Sequence, residues 1–122
     1  MTDFKQLKVW QKAHDLTLAI YRTTSTFPKE ELYGLTSQMR RSAISIGSNL
    51  AEGRGRDGDP DFQRFIAIAK GSSAELEYQL LLSRDLGYLH HDQYQQLLTH
   101  LSEIGRMLVS LRLRVKAATV TK

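Results

Sequence analysis

Apolar residues recur along this chain with the 3.6-residue period of amphipathic helices, and no stretch alternates with period two for long enough to make a strand. Val9, Ala13, Leu16 and Ile20 share one face, which predicts a first helix over about residues 5–25, with Asp3 and Gln6 placed to cap its start. Phe27-Pro28 ends it, because the residue before a proline avoids helical dihedrals. Pro28 to Gly34 then reads as a single helical turn stopped by glycine, with Glu30 and Glu31 near its positive end.

The second predicted helix, 35–53, carries two stripes. Leu35, Met39, Ala43, Ile46 and Leu50 make an apolar one; Gln38, Ser42, Ser45, Asn49 and Glu52 make a polar one beside it. Gly47, Ser48 and Ala51 fill much of the remainder. A surface helix has one apolar stripe and a charged back. A back that is small and hydrogen-bonding predicts a helix wedged between others, whose polar side chains must find partners. Residues 53–59 follow as an exposed loop with three glycines, two arginines and two aspartates.

Asp59-Pro60-Asp61 marks a helix start, with Asp59 as N-cap and proline at the first helical position. The third helix spans 60–86, with Phe62, Phe65, Ile66, Ala69, Ser73, Leu76 and Leu80 as its core stripe, and Gly87 stops it. Asp92 with Gln95 forms a capping-box pair that opens a fourth helix over 92–115, seamed by Leu97, Leu101, Ile104, Leu108, Leu111 and Val115. The tail 116–122 has no period and is expected to fray. Four helices joined by short loops make residues 1–122 one all-α domain, an antiparallel up-down-up-down four-helix bundle.

These helices hold more apolar residues than one bundle core needs. Leu80, Leu81 and Leu82 are consecutive and cannot all face one seam, and Leu16, Leu18 and Ile20, Ile68, Val109, and Leu111, Leu113 and Val115 include further off-stripe positions. Excess on several helices predicts that copies of the chain pack side by side.

Composition narrows the chemistry. With 122 residues the chain is large enough to bury a core unaided, and the lack of cysteine excludes disulfides and thiolate metal sites. The polar start is unlike a secretory signal, and no apolar run approaches a membrane span, so a cytoplasmic protein without membrane contact is expected. None of Glu52, Glu75, Glu77 or Glu103 is followed three residues later by histidine, as bundle di-metal sites require. No serine sits in a strand-turn-helix elbow, and the glycine-rich loop lacks the ending of a phosphate loop. No catalytic residue, metal or cofactor is predicted: the chain does not read as an enzyme.

Two polar groupings remain. Gln38, Arg41, Ser42, Ser45, Asn49 and Glu52 face Ser72, Glu75 and Gln79 in a predicted polar seam, with Arg41 beside Glu75 or Glu52 because a half-buried carboxylate needs a partner. The net charge is +4, and no acid follows Glu103. Arg40, Arg54 and Arg56, with Arg64 and Lys70 nearby, form one candidate basic patch; Arg106, Arg112, Arg114 and Lys116 form another. Arginine forks suit phosphate oxygens, so these nine residues are the candidate nucleic-acid contacts.

The residues also carry a resemblance. Phe4-x-x-Leu7-x-Val9-Trp10-Gln11-Lys12-Ala13, Phe27-Pro28-x-x-Glu31-x-Tyr33-Gly34-Leu35, and Gln38-x-Arg40-Arg41-Ser42-x-x-Ser45-Ile46-x-x-Asn49-Leu50-Ala51-Glu52-Gly53 come first in order. Phe62-x-x-Phe65-x-x-Ile68-Ala69, Gly71, Ser73, Glu75-Leu76-Glu77 and Leu86-Gly87-Tyr88 complete the pattern. This pattern resembles the 23S rRNA-intervening-sequence, or four-helix-bundle, protein family, some members of which bacteria encode within insertions in large-subunit rRNA genes. The resemblance implies an antiparallel bundle assembling as a homopentameric ring. The family is also similar to the accessory variability protein of diversity-generating retroelements, a basic pentamer that binds nucleic acid and a reverse transcriptase. The expected function is a non-enzymatic homo-oligomer that binds RNA or DNA backbone. The alternative is a scaffold ring that recruits another protein and never touches nucleic acid.

Overall fold

The structure, a computed structural model, describes residues 3–56 and 58–121, excluding the side chains of residues 119–121. It has four α-helices: α1 (Lys8–Thr24), α2 (Leu35–Arg54), α3 (Asp59–Asp85) and α4 (His91–Thr121), and no strand among the described residues. Short 3-10 turns precede α1 at Phe4–Gln6 and α2 at Lys29–Glu31. Each helix packs against its chain neighbours, α1 closes against α4, and the backbones of the diagonal pairs stay apart among the described residues. Cross-helix contacts run in opposite senses along each sequential pair. Thr17 and Trp10 meet Ala43 and Gly47, while Met39 and Ser45 meet Ser83 and Ser72. The order is therefore up-down-up-down.

The predicted stripes are the core. Leu16, Ile20, Met39, Ile46, Leu50, Leu76, Leu80, Ile104 and Leu108 are fully buried, and Phe62, Phe65 and Ile66 join them. Burying such a side chain contributes about 1.5–3 kcal/mol, so this seam dominates the fold's stability. Leu81 and Leu82 are half-buried against the same core, so three consecutive leucines find shelter after all. Leu18, Ile44, Ile68, Val109 and Leu113 remain exposed.

Several boundaries differ from the sequence expectation, each for a local reason. Asp3 caps the 3-10 turn by accepting the Lys5 N–H (3.1 Å), and Leu7 is extended, so α1 begins only at Lys8. Gly58, at φ +107°, takes the N-cap position expected of Asp59, which becomes the first helical residue. His90 rather than Asp92 precedes α4, and its N–H is taken by the Gln93 side chain (3.3 Å) instead of a box closed by Gln95. The tail expected to fray continues α4 to Thr121: Lys116, Ala117 and Ala118 are strong helix formers, and neither glycine nor proline interrupts them. Lys122 and Asp57 lie outside the described residues. Gly87 stops α3 as expected, at φ +82°, with the Tyr88 N–H returning to the Ser83 carbonyl (2.9 Å).

Two close approaches fix how α2 seats. Gly53 packs on Phe62 and Phe65, where a Cβ would come within 2.6 Å of Phe65 Cβ. Thr17 Oγ1 donates to both the Ala13 carbonyl (2.8 Å) and the Ala43 carbonyl (3.2 Å), joining α1 to α2.

Candidate functional site

The predicted polar seam forms only in part. Ser45 and Ser72 share a hydrogen bond across α2 and α3 (2.7 Å), and Asn49 Nδ2 supports it by donating to the Ser45 carbonyl (2.8 Å) and hydroxyl (2.9 Å). Glu52 does not cross the seam: it pairs along its own helix with Arg56 (3.0 Å), four residues on. Arg41 makes no ion pair among the described residues, with either Glu52 or Glu75. Arg41 and Glu75 are exposed, so water solvates each charge and no burial forces them together. Both instead line an open polar cleft of about 310 Å³ with Gln38, Ser42, Ser45 and Ser72. One turn further along α3, Gln79 is buried, and its Oε1 accepts from no donor among the described residues.

The candidate basic residues fall into three places. Arg40 lies near the start of α2, where its guanidinium stacks on Tyr21 (4.5 Å) and Nε donates to Thr24 Oγ1 (2.9 Å). Fourteen residues separate it from Arg54, about 20 Å along a helix, so it does not join the other arginines. Arg54, Arg56 and Arg64 gather at the turn between α2 and α3. Arg54 lies over Phe62 (5.5 Å), while Arg56 (5.3 Å) and Arg64 (4.5 Å) both lie over Phe65. Cation–π contact holds these groups against the rings, and Glu52 and Asp61 partly neutralise them.

Lys70, Arg112 and Lys116 form the third group. They line a cleft of about 350 Å³ between α3 and α4, together with Gln63, Val109 and Leu113. The lining contains no carboxylate, and none of the three cations has an ion-pair partner among the described residues. Arg106 shares a neighbouring cleft with Lys70, beside Glu77. Arg114 lies half a turn round α4 from Arg112 and outside both clefts. Because the bundle is antiparallel, the α2–α3 turn and the end of α4 lie at one end of the molecule. Eight of the nine candidate cations therefore collect toward that end or the adjoining α3–α4 face, with Arg40 apart.

Sequence reasoning missed how Val109 and Leu113 enter this group. Val109, Arg112, Leu113 and Lys116 follow the i, i+3, i+4, i+7 spacing of one helical face, which mixes two apolar with two basic residues. That spacing was the available signal. A separate groove between α1 and α2, about 290 Å³, is lined by Phe4, Trp10, His14, Ile44, Gly47 and Ala51. Trp10 and His14 stack there, nearly parallel with centroids 5.1 Å apart. Among the described residues no three His, Asp or Glu side chains gather in a way that could hold a metal ion, and no helix is long and apolar enough to cross a membrane.

Comparison with known proteins places this geometry. Residues 5–110 match the family model described as 23S rRNA-intervening sequence protein. Among solved structures, the chain is similar to a protein of unknown function from the S23 ribosomal protein family of Bacteroides thetaiotaomicron. The two share 26% identity at a TM-score of 0.77, over 85% of this chain and 97% of that one. No curated protein matches the sequence.

Proposed function

The chain belongs to the 23S rRNA-intervening sequence protein family, and on that premise we propose a non-enzymatic, cytoplasmic homo-oligomer, a pentameric ring, that binds RNA or DNA through its basic surface. The observation that carries this reading is the α3–α4 cleft, which Lys70, Arg112 and Lys116 line with no carboxylate among the described residues. A cation already paired loses its partner when it meets phosphate; an unpaired one loses only water and a loosely held counterion. Arg54, Arg56 and Arg64, lying over phenylalanine rings at the same end, add further guanidinium donors. A net charge of +4 is mild for one copy, and a ring multiplies it into a strong field. The resemblance to the accessory variability protein of diversity-generating retroelements points the same way.

The test is a gel shift and heparin retention across salt concentrations. Affinity falls steeply between low and physiological salt, and Lys70→Gln with Lys116→Gln makes the fall shallower, by about one unit of log–log slope per lost phosphate contact. Lys29→Gln, on the turn at the opposite end, leaves the slope unchanged. Absence of a shift at low salt, with the particle intact, refutes the reading.

A second reading, a scaffold ring that recruits another protein, draws on the exposed Leu18, Ile44, Ile68 and Leu113. Capture of a protein partner that survives nuclease treatment favours it over nucleic-acid binding.

A further inference from the structure

We infer that the α3–α4 cleft takes an unpaired nucleotide, so that the protein selects single-stranded nucleic acid over duplex. This rests on the nucleic-acid reading above and adds to it the form of the ligand. The cleft is not simply basic. Its lining alternates along α4 as Val109, Arg112, Leu113 and Lys116, faced from α3 by Lys70 and Gln63. Val109 is 40% and Leu113 62% exposed, so apolar surface lies open to water among the cations of the same cleft. Cations alone would meet the needs of a phosphate backbone. The exposed apolar surface adds nothing for a duplex, whose bases are stacked and paired inside and which offers the protein its phosphates and groove edges. A single strand presents phosphate and base face together, and a base laid on apolar surface gains contact that a duplex cannot supply.

The dimensions agree. About 350 Å³ is at the small end of ligand clefts, enough for one base and its sugar and too small for a helix of paired strands. A lining without acids among the described residues also disfavours a protein segment of mixed charge, which would leave its own carboxylates matched but its cations repelled.

Fluorescence anisotropy with labelled oligo(dT) and oligo(U), and with a random-sequence DNA duplex of equal length, tests the inference at one fixed low salt. The expected result is binding of both single strands about tenfold tighter than the duplex. The variant Val109→Asn with Leu113→Asn replaces exposed side chains and keeps the charge; it reduces single-strand affinity about tenfold and leaves duplex affinity unchanged. Equal affinities, or duplex preference, with a neutral double variant overturns the inference while nucleic-acid binding stands. Failure of every probe to bind overturns the underlying reading as well. Light scattering accompanies both proteins: a double variant whose particle mass falls makes the cleft a contact between copies and likewise overturns the inference.

Discussion

At the scale of single residues, the positions that matter most are those where one atom decides whether two helices meet. Gly53 lets α2 approach the two phenylalanines of α3, and a methyl group there would lie 2.6 Å from Phe65 Cβ, an atom bound to the backbone that cannot swing aside. Gly53→Ala is expected to cost about 1–3 kcal/mol by forcing the helices apart, read as a lower denaturation midpoint at unchanged m-value. Helix propensity alone predicts the opposite sign, since alanine is the better helix former. Glu31 is a second such position. Its carboxylate accepts the Leu35 N–H at the start of α2 (3.2 Å) and the Tyr88 O–H from beyond α3 (3.0 Å). The bond to the carboxylate, then partial burial, then the charge of Glu31 raise the Tyr88 phenol above its ordinary value. A raised folded-state value means this stabilisation is complete below the ordinary phenol value and is lost as pH rises through the raised one. Phenolate absorbance should show one tyrosine titrating late in the native protein and returning toward its ordinary value in Glu31→Gln. The pairing of Glu31 with Tyr88 spans fifty-seven positions and was illegible in the sequence, where Glu31 read as a turn residue and Tyr88 only as part of the family pattern.

At the scale of elements, periodicity located all four helices and their buried faces, because burial is the largest favourable contribution to folding and leaves its spacing in the sequence. Ends were harder. His90 and Gln93 took the cap expected of Asp92 and Gln95, and Gly58 that of Asp59, since neighbouring polar residues offer near-equivalent caps and packing chooses among them. The polar seam was legible as a stripe but not as pairings: Ser45 found Ser72, while Glu52 found a partner on its own helix. The link between α1 and α4 was not legible either. Lys12 and Glu103 pair there at 2.9 Å with both side chains about two-fifths exposed. The hydrogen bond from Lys12 holds the Glu103 carboxyl below its ordinary value; desolvation opposes it, and the charges of Lys12, His100 and Arg106 add to the lowering. A lowered folded-state value means the pair's contribution is complete above the ordinary carboxylate value and is lost as pH falls through the lowered one. Lys12→Met is expected to return Glu103 toward the ordinary value in a carboxyl NMR titration, and to make the protein less sensitive to mild acid. An unchanged Glu103 titration would mean the pair is formed too rarely in solution to matter.

At the scale of the whole molecule, the apolar residues left outside one bundle and the cations left without acids pose a joint question, because association would gather both. Ile44 is 42% exposed and lines the α1–α2 groove together with Gly47, Ala51 and Trp10. Light scattering should report a multiple of the 13.9 kDa chain mass, and Ile44→Lys should bring it down toward one chain with helical content retained. A wild-type particle of single-chain mass at micromolar concentration would remove the ring from the proposal. The two properties can also be separated on one variant. A short strand that fills one α3–α4 cleft is bound by one copy, so its affinity should survive Ile44→Lys. A long strand that spans several copies gains effective concentration with each further contact, and should lose affinity by about a hundredfold or more when the copies part. If short and long strands lose affinity equally, the groove between α1 and α2 is coupled to the cleft through the fold itself, and assembly is not what concentrates the charge.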